Sequence, residues 1–400
     1  MGNFEKAFNK DREGSLPYFY YISATMCIGI KTYERMQDFF SAPREFYNAT
    51  YETLSNTGIF TQSQLERLSK AKKKIDIFKE YSYLREKEIS LLSIEDPLYP
   101  DKLKQIKDPP PVLFLMGKLP DIYVPCVSVI GARECSEYGC NVAKRLGEVL
   151  ASNGISVISG MARGVDSVSQ GSALDAGGHS LAILGGGVDV LYPRESRALY
   201  QKLFKNGGIL SEFPPGTMPL RPYFALRNRL IAGMCDALCV VEAKEKSGTM
   251  ITVDHALNYG KDIYAIPGRI TDVTSLGTNA LIRDGAGVIT DIDAFAHEIV
   301  DKFGTDTAIL HTAKKSAAGV RRDLTDDEIL IIKSCDESSF TPDLLSLSVS
   351  IPSFGIMSIC LTLVEKGILI SMGGSRFKMT DYGISQRNVL LTGDDDEEEV

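Results

Sequence analysis

The sequence predicts an α/β protein: a largely parallel central sheet, a small helical domain before it and a winged-helix-like unit after it. Three observations carry this. Between residues 127 and 296 short apolar runs alternate with helical patterns, as parallel strands joined by crossover helices do. Before residue 78 apolar residues recur at three-and-four spacing. After residue 323 three helical patterns lead to two short strands about Gly373 and Gly374.

Residues 1–78 form the expected helical domain, with turns at Gly29 and Gly58. Its IGIK turn has only a weak likeness to a helix-hairpin-helix or SAM-like unit, and the lysines at 70, 72, 73 and 74 read as a solvated helix face. Residues 79–126 are rich in proline. Pro109, Pro110 and Pro111 forbid helix, so this stretch is expected to connect the domains and lie along the next one. Strands follow at CVSVIG, SVISG, SLAILG, GGILSEF, ALCVVEA and DIYAIPG, with helices between them, for example YGCNVAKRLGEVLASNG and TMITVDHALNYG. Residues 297–322 read as a linker, 323–383 as the winged-helix-like domain and 384–400 as a solvated acidic tail. The third helix of the winged-helix-like unit, 352–366, has almost no basic residue before Lys366. A base-reading helix carries Arg or Lys, so a partner-binding or dimer-adjusting role is expected there.

Composition removes several function classes. The 400 residues are 44% apolar and 24% charged, ordinary for a soluble globular chain. No run of eighteen apolar residues suggests a membrane span, and the polar start lacks a secretory signal, so a cytoplasmic location is expected. The eight cysteines include no CxxC pair and lie apart from the four histidines, so no metal site is expected. The net charge of −8 seems wrong for a nucleic-acid binder until it is located. Residues 394–399, DDDEEE, hold six negative charges, whereas 127–295 are close to neutral.

Chemistry concentrates in four small-residue loops, each following a strand and opening a helix. In GARECSEYG, Arg133 can reach a phosphate and Ser136 can cap a helix or bond an anion. In SGMARGVD, Gly160 and Gly164 flank Ala162 and Arg163 and bring backbone N–H groups near a ligand, while Asp166 is expected to cap a helix. LGGGVDVLYPRESR supplies Gly186 and Gly187, then Arg194 and Arg197 at a spacing that shares one helix face. KSGTM supplies Ser247, Gly248 and Thr249. Between the last two lies FALRNRLIAG, with Arg227, Asn228 and Arg229. The two arginines diverge on a helix, so only one easily faces a cleft, and either could instead pair with Glu212 or Glu242 in the interior. One such loop alone is usually a tight turn. Four of them, with five arginines on one expected sheet edge, predict a phosphate-binding surface. There is no GxxxxGK[ST], no GxGxxG and no nucleophile beside a histidine, so no catalytic residues are assigned.

In order, GARECSEYG, SGMARGVD, LGGGVDVLYPRES, GGILSEFPPGTMP, FALRNRLIAG, VVEAKEKSGTMIT and AIPGRITDVTSLGTNALIRDGA resemble the DprA/Smf family over about 160 residues. The resemblance implies an extended Rossmann-like core, a homodimer, single-stranded DNA binding without enzymatic activity or cofactor, and loading of the RecA recombinase in natural transformation. Carried over by block, Arg133 and Arg194 are the implied phosphate contacts, supported by the 160–164 loop, Arg227 and Arg229. Three positions depart from the family pattern: Gln170 replaces a His, Ala225 a Pro and Ser196 an Asn. The alternative function is a nucleotide-processing hydrolase of the lysine-decarboxylase-like Rossmann group. That group uses a GGxGTxxE loop, and here Thr252 stands where its Glu would be.

Overall fold

The computed structural model describes residues 14–304, most of 324–380, and residue 387. The chain divides into two compact units, one ending at Phe303 and one beginning at Gly304.

The first unit opens with helices α1 (14–24), α2 (Ile30–Gln37), α3 (Pro43–Asn48), α4 (Tyr51–Asn56), α5 (Gln62–Lys74) and α6 (Ile77–Glu86). Thr61 begins α5 with a reciprocal capping box with Gln64, which satisfies two of the orphan N–H groups of the first turn. Tyr20, Tyr21, Phe46 and Leu68 are buried in the core of these helices.

The nine-stranded sheet consists of β1 (Ile89–Ser93), β2 (Val112–Gly117), β3 (Cys126–Ile130), β4 (Ser156–Ser159), β5 (Ser180–Ile183), β6 (Gly208–Ser211), β7 (Ala237–Val240), β8 (Asp262–Ala265) and β9 (Gly287–Val288). Their spatial order is β1-β2-β6-β5-β4-β3-β7-β8-β9. From β6 to β9 every pairing is parallel, whereas β1–β2 and β2–β6 are antiparallel. Between the strands run α7 (Asp101–Lys104), α8 (Glu137–Ser152), α9 (Val165–Asp175), α10 (Arg197–Asn206), α11 (Arg221–Met234), α12 (Gly248–Asn258) and α13 (Leu276–Arg283), and α14 (Ile292–Phe303) follows β9. Helices cover both faces, so the central strands read as continuous apolar runs. On β3, Val127 and Val129 pack with Leu146 of α8, while Cys126 and Ile130 turn to the opposite layer with Leu230 of α11.

All six strands expected between 127 and 296 are present. The 79–126 segment differs from expectation. It is more than a connector, because β1 and β2 extend the sheet at its β6 edge. The proline run only ends the connection between them, which carries α7, and Ile94 N–H donates to the Pro111 carbonyl at 2.9 Å. The core also runs further than expected, since residues 297–303 complete α14, whose Phe295, Ala296 and Ile299 are buried. The rest of the expected linker, 305–322, and the acidic tail apart from residue 387 lie outside the described residues.

The second unit contains α15 (Asp326–Ser334), α16 (Pro342–Leu345), α17 (Ser353–Glu365) and an antiparallel pair, β10 (Leu369–Gly373) and β11 (Arg376–Met379). An isolated antiparallel bridge joins Phe340 to Phe377. Lys366 donates to both carboxylate oxygens of the buried Glu328, at 2.5 and 2.6 Å.

Candidate nucleic-acid interface

Chain order along the sheet reverses between β3 and β7: β3, β4, β5 and β6 run one way, and β7, β8 and β9 the other. Crevices at such a reversal, beyond the carboxyl ends of the strands, are where open α/β sheets take ligands. The loops after β3, β4, β5 and β7 all leave from that edge, and short contacts tie them together. Gly164 (φ 77°) packs against the Ala132 carbonyl, to which Val165 N–H donates at 3.3 Å. A side chain there would be strained and would collide with that carbonyl, which explains why glycine stands at this turn. Thr249 Oγ1 donates to the Gly131 carbonyl at 3.3 Å, and Asn228 Nδ2 to the Gly248 carbonyl at 3.4 Å.

Along the outside of this edge, charge alternates with aromatic surface. Arg133 is exposed, and its guanidinium carbon lies 5.5 Å from the centre of the Phe224 ring. Phe224 is in the first turn of α11, which Pro222 opens at a position where its missing N–H costs nothing. The Phe224 ring lies 5.6 Å from that of Tyr192, which is 50% exposed. Next in sequence come Arg194, in a short 3₁₀ turn, and Arg197, which begins α10. Both are exposed and neither has an ion pair among the described residues. Arg163 meets Glu195 at 2.5 Å, but each side chain is 64% exposed. A pair so open to solvent is screened and weak, so a polyanion can take Arg163 from it at little cost. Ser247 precedes α12 without capping it, and its Oγ is buried without a hydrogen-bond partner.

Other residues expected at the surface lie inside. Arg227 is only 4% exposed. Its Nη1 donates to the Gly160 carbonyl at 2.8 Å and to the Ile183 carbonyl, bracing the ends of β4 and β5. It lies so close over Gly160 that any side chain at 160 would overlap it. Gly160 N–H in turn donates to the buried Asp166 at 3.1 Å. Burial pushes the Arg227 pKa down to about 10, opposed by Asp166; burial raises that of Asp166, opposed by Arg227. Asp166 is therefore an interior counter-charge as well as a first-turn residue of α9. Arg229 is also half-buried and pairs with Glu212 at 2.5 Å, one of the two interior partners weighed from the sequence. Neither arginine of the FALRNRLIAG block reaches the rim, because the helix turns both toward the strand ends. Gly186 and Gly187 are buried too, and Gly187 N–H is taken by the Thr217 carbonyl at 2.9 Å. Ser136 caps α8, and its hydroxyl is committed to Glu242.

The expected set therefore divides. Arg133, Ala162, Arg163, Gly164, Arg194, Arg197, Ser247, Gly248 and Thr249 lie on the loops or helix starts of the outer edge, and Asn228 lies in the middle of α11. Gly160, Gly186, Gly187, Arg227 and Arg229 build the edge from within, and Ser136, though exposed, has its hydroxyl bound to Glu242. The sequence reading missed Phe224 and Tyr192, although each stands inside a block already singled out. An aromatic residue next to a loop arginine was the signal.

An open, mostly parallel α/β sheet with loop arginines and aromatic rings along its carboxyl edge places the chain in the Rossmann-like class. The chain belongs to the DNA recombination-mediator protein A family, whose sequence model matches residues 90–300. It is 40% identical over 198 residues to the DNA processing protein DprA of Streptococcus pneumoniae (strain ATCC BAA-255 / R6), an alignment covering 50% of this chain and 70% of that one. It is 31% identical over 266 residues to the Smf protein of Synechocystis sp. (strain ATCC 27184 / PCC 6803 / Kazusa), covering 66% and 67%. The X-ray structure of DNA processing protein A from Streptococcus pneumoniae superposes with a TM-score of 0.56 and 33% identity, covering 64% of this chain and 87% of that one.

Proposed function

We propose that this chain binds single-stranded DNA along the rim formed by Arg133, Arg163, Arg194 and Arg197, and that it protects the strand and presents it to the RecA recombinase. One observation carries the reading: the Arg133 guanidinium lies over Phe224, beside the half-exposed Tyr192 and the unpaired Arg194. Guanidinium groups take phosphate oxygens, and rings take unstacked bases. A duplex keeps its bases stacked on each other and leaves the rings idle, so the alternation favours single strands. The glycine-bearing turns and the 248–249 helix start add N–H donors at the same edge.

The family supports the remaining parts of this reading. A homodimer through the core fits the exposed Ile270, Val273 and Val288, which lie between β8 and the β9 edge of the sheet. A non-enzymatic role fits Thr252, which is buried and carries no acid where the hydrolase group has its Glu. No helix among the described residues is long and apolar enough to cross a membrane. A DNA partner fits a cytoplasmic location. The second unit, with the helix–helix–helix–hairpin order of a winged helix, serves a partner rather than DNA. Fluorescence anisotropy with single- and double-stranded oligonucleotides across a salt series tests the central claim. Tighter single-strand binding, weakening steeply with salt, is expected. Equal or tighter duplex binding refutes it.

A further inference from the structure

Glu242 stands two residues past the end of β7 and crosses the crevice at the reversal of strand order to reach the start of α8. It is only 2% exposed. Its Oε2 accepts the Ser136 backbone N–H at 2.9 Å, and its Oε1 accepts the Ser136 hydroxyl at 2.5 Å. Thr274 Oγ1 lies 3.5 Å from Oε1. The seat is shaped for this carboxylate: a methyl group added at Gly139, in the first turn of α8, would lie 2.5 Å from its carboxyl carbon.

A backbone N–H and a hydroxyl at the positive end of a 16-residue helix are donors of the kind a phosphate oxygen takes. In doubly wound sheets the first strand–helix turn beside the reversal point is where nucleotide phosphates sit. Here that position is filled from within the chain. We infer that Glu242 is a built-in carboxylate that closes the switch-point crevice to free nucleotides, confining anion binding to the outer rim. A core of this class is thereby kept from acting as a nucleotide-binding protein. The inference stands apart from the DNA reading, since it concerns a seat beneath the rim and not the rim itself.

Anion rescue of Glu242→Ala tests it, read by thermal unfolding at matched ionic strength in chloride, acetate, inorganic phosphate and AMP. Glu242→Ala is expected to melt below wild type in chloride and to recover in acetate, phosphate and AMP. Its apparent affinity for AMP should exceed that of wild type by about tenfold or more. Glu242→Gln, which still fills the seat, should respond like wild type. If Glu242→Ala does not fold in chloride, its refolding yield in acetate becomes the readout, and recovery is expected. The idea is overturned if none of these anions changes the melting or refolding of Glu242→Ala relative to chloride. It is equally overturned if AMP stabilises wild type as much as the variant.

Discussion

Arg227 and Arg133 are the same residue type near the same edge, yet they do opposite work. Arg227 is enclosed, and its guanidinium holds two strand-end carbonyls in place and faces a buried carboxylate. Arg133 stands in solvent over an aromatic ring. The interior arginines shape the loops, and the rim arginines are free to meet a ligand. The contrast teaches that arginine near a glycine turn is not itself a binding signal. What decides is whether backbone carbonyls and a carboxylate have already claimed the guanidinium.

The largest expected effect comes from breaking the interior set. Arg227→Met should cost about 3–5 kcal/mol of stability, because it strands Asp166 as an uncompensated buried charge. Urea unfolding measures this. The penalty should also depend on pH. Burial already raises the Asp166 pKa while Arg227 opposes the rise, so losing Arg227 sends it higher. A carboxyl whose folded pKa is raised favours the folded state at low pH, and that advantage is lost as pH rises through the folded pKa. The variant should therefore lie closest to wild type in acid and furthest from it at neutral pH. A penalty independent of pH would count against the Asp166 pairing.

Breaking the rim should leave stability nearly untouched and move affinity instead. The triple variant Arg133→Ala, Arg194→Ala, Arg197→Ala should unfold within about 0.5 kcal/mol of wild type, as exposed substitutions do. Its single-strand affinity should fall, with the salt slope smaller by about 0.7 for each lost phosphate contact. A folded triple variant with an unchanged slope would remove these arginines from the site. Phe224→Leu comes next in size. Losing one stacking surface should weaken binding by about 1–3 kcal/mol while barely changing the salt slope, because no charge is removed. A changed slope would mean that Phe224 acts only by seating Arg133.

Much of this architecture was legible. The β3 to β8 strands read clearly because both faces are covered, so the runs CVSVI and ALCV carry no polar interruption beyond Ser128. β1 and β2 were harder. Pro109, Pro110 and Pro111 between them dominate the local pattern, and an antiparallel pair leaves no crossover helix to announce it. The site was legible as an edge but not as a division of labour. The carbonyl that claims Arg227 belongs to Gly160, 67 residues earlier in the chain, and no local spacing reveals that distance. The Arg229–Glu212 pair was foreseeable as one of two options, because Glu212 directly follows the strand that precedes the helix carrying Arg229. Glu242 gave no sign of its partner, since Ser136 lies 106 residues away.

The smallest effect tests whether interior polar groups as a kind answer to pH through stability rather than binding. His179 precedes β5, and its Nε2 lies 3.0 Å from the Lys118 carbonyl while Nδ1 is buried without a hydrogen-bond partner. Burial lowers the His179 pKa, so the folded state prefers the neutral ring. A depressed folded pKa gives stability that is present above the unfolded value, about 6.5, and lost as pH falls through the folded one. His179→Gln keeps a donor for the Lys118 carbonyl but cannot titrate. Between about pH 7.5 and pH 5.5 the melting temperature of wild type should fall more than that of His179→Gln. Single-strand affinity of the two should shift together over the same range, because His179 lies at the amino end of β5, away from the carboxyl-end rim. Parallel melting curves would show that the ring is already solvated. A difference in affinity alone would move His179 from the interior set to the rim set and blur the division between them.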